Sequence, residues 1–169
     1  MKKTKLIAAL AGIAATAAFA GSCGGAEIVT GKEGVEKYIK DYYGNEHLVL
    51  SETVYDNNQT LVWVVSDSAM LNTCFAVTFA NKPDNKYEFV GTETVNKVSN
   101  KIWECFWHDG VSFYINDPDC DEFYFEDNGR SVTSKLGEMP TTLFCNISNI
   151  DDDVHVIFRD KNGRKVLGS

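Results

Sequence analysis

The chain lacks the short signatures by which most enzymes announce themselves. Its 169 residues contain no Gly-rich phosphate loop and no G-x-S-x-G elbow. The three histidines, His47, His108 and His155, stand singly, without a metal-type partner two to four residues on. The cysteines form no C-x₂₋₄-C pair, so no zinc site is encoded locally. Positive charge is also in the minority: 16 Lys and Arg face 24 Asp and Glu, for a formal charge of −8. Such a balance repels polyanions, which excludes a nucleic-acid binder. The C-terminus, Val166-Leu167-Gly168-Ser169, carries neither a wall-sorting motif nor an apolar tail, so any anchor is expected at the front.

What is present begins with the first 25 residues. Lys2, Lys3 and Lys5 precede an unbroken apolar or small run from Leu6 to Ala20, followed by Gly21, Ser22, Cys23, Gly24 and Gly25. A basic start, an apolar centre of this length and small residues at its end are the parts of a secretory signal. The run is shorter than the ~20 residues a membrane span needs. Two processing sites overlap. Ala18-Phe19-Ala20 is an A-x-A site that would release a secreted chain beginning at Gly21. Ala20-Gly21-Ser22-Cys23 resembles the lipobox of bacterial lipoproteins, with Ala20 where that pattern usually has Leu. The resemblance implies a diacylglycerated Cys23 as first mature residue and a membrane attachment through that lipid, at the cell surface outside the cytoplasm. Two acyl chains give stable anchoring where one is marginal.

Cysteine arithmetic favours the lipoprotein. Of five cysteines, an odd number for an exported chain, Cys23 takes the lipid and leaves Cys74, Cys105, Cys120 and Cys145 as disulfide candidates. Three connectivities are open; position weakly favours Cys74 with Cys105 and Cys120 with Cys145. Removing residues 1–22 takes away three lysines and no acid, so 147 residues remain with a formal charge of −11. An apolar share of 44% with 12% aromatics supplies a core for that length.

Four segments follow: a signal peptide over 1–22, a tether over 23–33, a helix plus antiparallel meander over 34–95, and a hairpin-rich half over 96–169, the two halves forming one compact unit. Val35, Tyr38, Ile39 and Tyr42 fall at i, i+3, i+4 and i+7 on one helix face, and Gly44 supplies the cap. Strands are expected over 48–55, 60–66, 73–80 and 86–92, with Phe75, Val77 and Phe79 on one side of the third. This first half is similar in topology to small cystatin-like and PepSY-like modules of bacterial lipoproteins. The stretch Asn96 to Lys101 reads as a linker or a long loop.

In the second half, Asp109-Gly110, Asn128-Gly129 and Asn162-Gly163 suit type I′ hairpin turns. With Asp109-Gly110 as a two-residue loop, paired residue numbers sum to 219. One hairpin face then carries Phe106, His108, Val111, Phe113 and Ile115; the other carries Trp103, Cys105, Trp107, Ser112 and Tyr114. Both faces are largely apolar, which places this hairpin in the middle of the structure. The expected class is α+β: one N-terminal helix packed on a mostly antiparallel β-sheet array of about eight strands.

Three groups of residues could carry function. Trp103, Trp107 and Tyr114, with Trp63 and Tyr124 nearby, could form a platform for a carbohydrate or protein ligand, or else a second small core. Asp117, Asp119 and Asp121 have the spacing that opens an EF-hand loop. However, Glu122 replaces its glycine and Asn128 its bidentate glutamate, so calcium is a weak candidate and no other cofactor is expected. A calcium site of another kind could recruit Glu126, Asp127 or the run Asp151-Asp152-Asp153. Cys105 and His108 have the residue types of a thiol hydrolase, but in a strand their spacing sends them to opposite faces. The sequence therefore points to a non-enzymatic surface module that binds a ligand or protein partner. The alternatives are a calcium-dependent structural or adhesion module and a small extracytoplasmic hydrolase, which requires two facing carboxylates.

Overall fold

A computed structural model describes residues 27–43, 48–54, 58–66, 74–147 and 154–168. The expected signal segment, Cys23, Gly44, His47 and the run Asp151 to Asp153 lie outside the described residues. The described residues are mostly antiparallel β-structure with one short helix, arranged as three sheets.

The first sheet has the order β1-β5-β4-β3-β2, from β1 (Ile28–Thr30), β2 (Leu48–Val54), β3 (Gln59–Ser66), β4 (Cys74–Lys82) and β5 (Lys86–Glu93). Strands β2 to β5 form the expected meander. The tether assigned to 23–33 is interrupted by β1, which pairs with the outer side of β5. Helix α1 (Gly31–Tyr43) has Glu33 in its first turn and Lys40 in its last, matching the helix dipole at both ends. Its Val35, Tyr38 and Ile39 pack with Val62, Val64, Val77 and Phe79. The fourth residue of the stripe, Tyr42, stays exposed at the rim and stacks on Tyr38 at 5.6 Å.

The second sheet, β11-β8-β7-β6, is the middle layer. It comprises β6 (Asn96–Ser99), β7 (Ile102–Trp107), β8 (Gly110–Ile115) and β11 (Thr141–Asn146). Every residue of β8 is buried, as a strand with apolar residues on both faces requires. Trp103, Cys105, Trp107 and Tyr114 meet Leu61, Trp63 and Ala76 of the first sheet in one core. Ile102, Val111, Phe113 and Ile115 meet Phe123, Phe125 and Phe158 of the third sheet in another. That third sheet has the order β10-β9-β12-β13, from β9 (Glu122–Asp127), β10 (Arg130–Lys135), β12 (Val154–Arg159) and β13 (Lys165–Gly168).

Three sequence readings need correction. Thirteen strands form among the described residues rather than about eight, and Asn96 to Ser99 is strand β6 rather than linker. The central hairpin turns one step early: Trp107 pairs with Gly110 and Trp103 with Tyr114, so paired numbers sum to 217 and the loop is His108-Asp109. His108 takes the left-handed conformation, at φ 53°. Gly110 is glycine because β11 comes close: a Cβ there would lie 2.3 Å from the Phe144 ring and 2.5 Å from the Cys145 carbonyl. Asn128-Gly129 is a two-residue loop with both residues at positive φ, as read. At Asn162-Gly163 only the glycine is left-handed, and Gly163 N–H donates to the Asp160 carbonyl at 2.9 Å. That is a type I turn followed by a glycine bulge.

Candidate functional site

The four aromatics expected to offer a platform lie inside the molecule. Trp63 is 0%, Trp103 5%, Trp107 4% and Tyr114 2% exposed. They form the small core between the first and middle sheets, and the platform reading is corrected to a structural one. The reason is visible at Trp63. Its indole N–H donates to Ser112 Oγ at 2.9 Å, and the Ser112 hydroxyl donates to the Leu143 carbonyl at 3.2 Å. The polar atom of the buried ring thus finds its partner inside the protein. Tyr124 lies elsewhere, on β9, with the Arg159 guanidinium over its ring at 5.3 Å.

The opposite face of the central hairpin provides the open site. The third sheet covers β8 but leaves the β6–β7 side of the middle sheet partly uncovered, and a groove of about 350 Å³ remains between them. Val98 and Phe106 line one wall, Val154, Val156 and Leu167 the other, over a floor that includes Phe113. Phe106 is 52% exposed, unusual for a phenylalanine whose strand neighbours are buried. The edge strands β6 and β13 flank the opening, so backbone as well as side chains border it.

Among the described residues the groove lining holds one carboxylate, Glu104, and one basic residue, Lys97. Cross-strand pairing sets Asn96 opposite Glu104, and the Asn96 amide donates to Glu104 Oε1 at 3.4 Å. Burial pushes the Glu104 carboxyl above the usual range, and the Asn96 bond opposes that shift. This carboxylate gives an apolar slot a polar anchor of the kind that orients ligands.

The acidic loop borders a second, shallower cleft of about 920 Å³ together with Leu136, Met139 and Lys161. Lys101 Nζ donates to Asp117 Oδ1 at 2.9 Å and Lys135 Nζ to Asp121 Oδ2 at 2.6 Å. The Asp119 backbone N–H also donates to Asp117 Oδ1, at 3.2 Å. Two of the three candidate calcium ligands are therefore engaged by lysines. Among the described residues, no three His, Cys, Asp or Glu groups converge in a way that could hold a metal ion.

No bond joins Cys74, Cys105, Cys120 and Cys145 in this structure, where each is drawn as a thiol. Burial pushes the first two up to about 12 and the last two up to about 11. At neutral pH a thiolate nucleophile is thus suppressed. His108, at the hairpin turn, contacts the Trp107 ring at 4.5 Å and hydrogen-bonds Gln59.

No family model, curated protein or solved structure matches the chain.

Proposed function

We propose that the protein is an exported, lipid-anchored surface module that binds a partner or ligand through an apolar group seated in the groove between β6–β7 and β12–β13. The observation that carries the binding half is the groove itself: about 350 Å³, walled by aliphatic and aromatic side chains, with the Glu104 carboxylate in its lining. Sites for small ligands and for anchoring side chains share that composition, a mostly apolar lining with few polar groups. A protein ligand would use a large apolar side chain as anchor. The four buried aromatics take no part, which moves the carbohydrate-or-protein expectation away from ring stacking and toward an apolar ligand group. The anchoring half rests on Lys2 to Ala20 and the lipobox-like Ala20-Gly21-Ser22-Cys23.

Titration with N-phenyl-1-naphthylamine, an uncharged apolar fluorophore, tests the binding half. Fluorescence should saturate at one equivalent, and Phe106→Asp should weaken binding at least about tenfold, since losing one apolar contact face costs roughly 1.5–3 kcal/mol. Because Phe106 is half-exposed, that variant should fold. Non-saturating binding, or binding indifferent to Phe106→Asp, would overturn the proposal. For the anchor, a fatty acid fed to growing cells should label the protein and not Cys23→Ala; an unlabelled protein beginning at Gly21 would establish ordinary secretion.

A further inference from the structure

The fold sorts the four described cysteines into two unlike pairs. Cys120 and Cys145 both contribute to the core between the middle and third sheets, but at opposite ends of the central hairpin. Cys145 pairs with Val111 and its carbonyl lies against Gly110, beside the turn. Cys120 lies at the other end, where Lys101 opposes Asn116 and the Lys101 charge reaches the thiol. The five or so residues of strand between these ends span roughly 15 Å at ~3.3 Å each. A disulfide tolerates less than about 7 Å between Cα atoms. That separation disfavours a bond between Cys120 and Cys145.

Cys74 and Cys105 differ. Cys105 is opposite Ser112 in the middle sheet, and Ser112 accepts the bond from Trp63 of the first sheet. Trp63 pairs with Ala76, two residues from Cys74 on the same face of β4. Both thiols thus flank one inter-sheet contact and pack in one core. Cys74 is partly exposed while Cys105 is fully buried. Two facing sheets bridged by a disulfide packed against a buried tryptophan is an arrangement that β-sandwiches tolerate without strain.

We infer that Cys74 and Cys105 form the single disulfide of the mature domain, a staple between the first and middle sheets, while Cys120 and Cys145 remain thiols. The oxidant is a small disulfide such as oxidised glutathione. The Cys74 thiolate attacks it, forming a mixed disulfide and releasing one small thiol. Cys105 then attacks Cys74 Sγ and expels the second. Two protein S–H bonds become one S–S bond, and the two electrons and two protons leave on the released thiols. The order of events follows from the burial of the pair. Burial pushes both thiols up to about 12, helped by Cys105 at Cys74 and by the charges of Glu93 and Glu104 at Cys105. Thiols held that high exchange slowly in the native protein at neutral pH. The bond closes during folding, before the core is dry. An exported chain meets such an oxidant outside the cytoplasm, but the following test uses purified protein and stands apart from both export and ligand binding.

The full chain is refolded from denaturant in reduced and oxidised glutathione, then alkylated under denaturing conditions. Cys105 and Cys120 share the interval between Lys101 and Arg130, which contains no other Lys or Arg, so cleavage must be made at aspartates as well as at Lys and Arg. The expected map has one linked pair, Cys74 with Cys105, two of five thiols lost, and Cys23, Cys120 and Cys145 alkylated. Cys74→Ser should abolish the linkage and leave Cys105 alkylated. Five alkylated thiols, glutathione stranded on Cys74, or any bridge to Cys120 or Cys145 would overturn the inference.

Discussion

Replacing Gly110 by alanine adds one carbon atom to the most crowded point of the middle sheet. Most glycine-to-alanine changes at compatible backbone angles stabilise a protein by about 0.4–1 kcal/mol, because the unfolded chain loses freedom. Gly110 is not among the left-handed glycines, so that gain should apply. The opposing effect is larger. The new Cβ would sit 2.3 Å from the Phe144 ring and 2.5 Å from the Cys145 carbonyl oxygen. The ring can rotate, whereas the carbonyl belongs to β11, whose Asn146 pairs with Gly110 itself. Relief therefore requires the end of β11 to move away from β8, and such overpacking costs about 1–3 kcal/mol. Gly91→Ala is the matched control, since its added Cβ meets nothing within 4 Å. Urea denaturation of both variants should show Gly110→Ala destabilised by about 1–2 kcal/mol net and Gly91→Ala unchanged or slightly stabilised. Equal stability of the two would refute the close approach of β11, and with it the assignment of His108-Asp109 as the turn.

Three other outcomes follow from the cores and the charges. Trp63→Phe removes the bond to Ser112 and leaves a void between the first two sheets, and chemical denaturation should register a loss of about 2 kcal/mol. Glu104 is held above its ordinary value by burial, so the folded state binds its proton more tightly than the unfolded state does. Its contribution therefore favours folding below the unfolded value and is lost as pH rises through the folded value. Glu104→Gln should raise the melting temperature at pH 7 relative to wild type and leave it unchanged near pH 4. Calcium should not shift the melting temperature, since Lys101 and Lys135 already engage Asp117 and Asp121; a rise lost in Asp119→Ala would reinstate the calcium reading.

The central hairpin shows what the sequence made legible. Its faces were assigned correctly although its register was not, because a shift of two in the pairing sum preserves the period-two alternation. The turn was misplaced because Asp-Gly is a strong hairpin signal, and nothing local reveals that Gly110 is required by a strand more than thirty residues away. The short strands β1 and β6 escape the sequence for a related reason. Each has three or four residues and little alternation, and its neighbour supplies the pairing. The groove joins β6 and β7 to β12 and β13, segments about fifty residues apart, so no motif could mark it. Part of its lining is nonetheless present in the list Phe106, Val111 and Phe113; what the sequence withheld was which of two apolar faces stays open. Trp103, Trp107 and Tyr114 carried the stronger chemical suggestion, yet large rings on a central strand are claimed first by the core.

The location of a bound apolar molecule tests the binding account most directly. Methyl resonances of the protein, followed during titration with N-phenyl-1-naphthylamine, report every aliphatic side chain at once. The account predicts shifts at Val98, Val154, Val156 and Leu167, which line the groove, with Leu61, Val62, Val64 and Val77 unmoved in the other two cores. Shifts centred on Leu61 beside the buried tryptophans, or spread evenly over the surface, would contradict it.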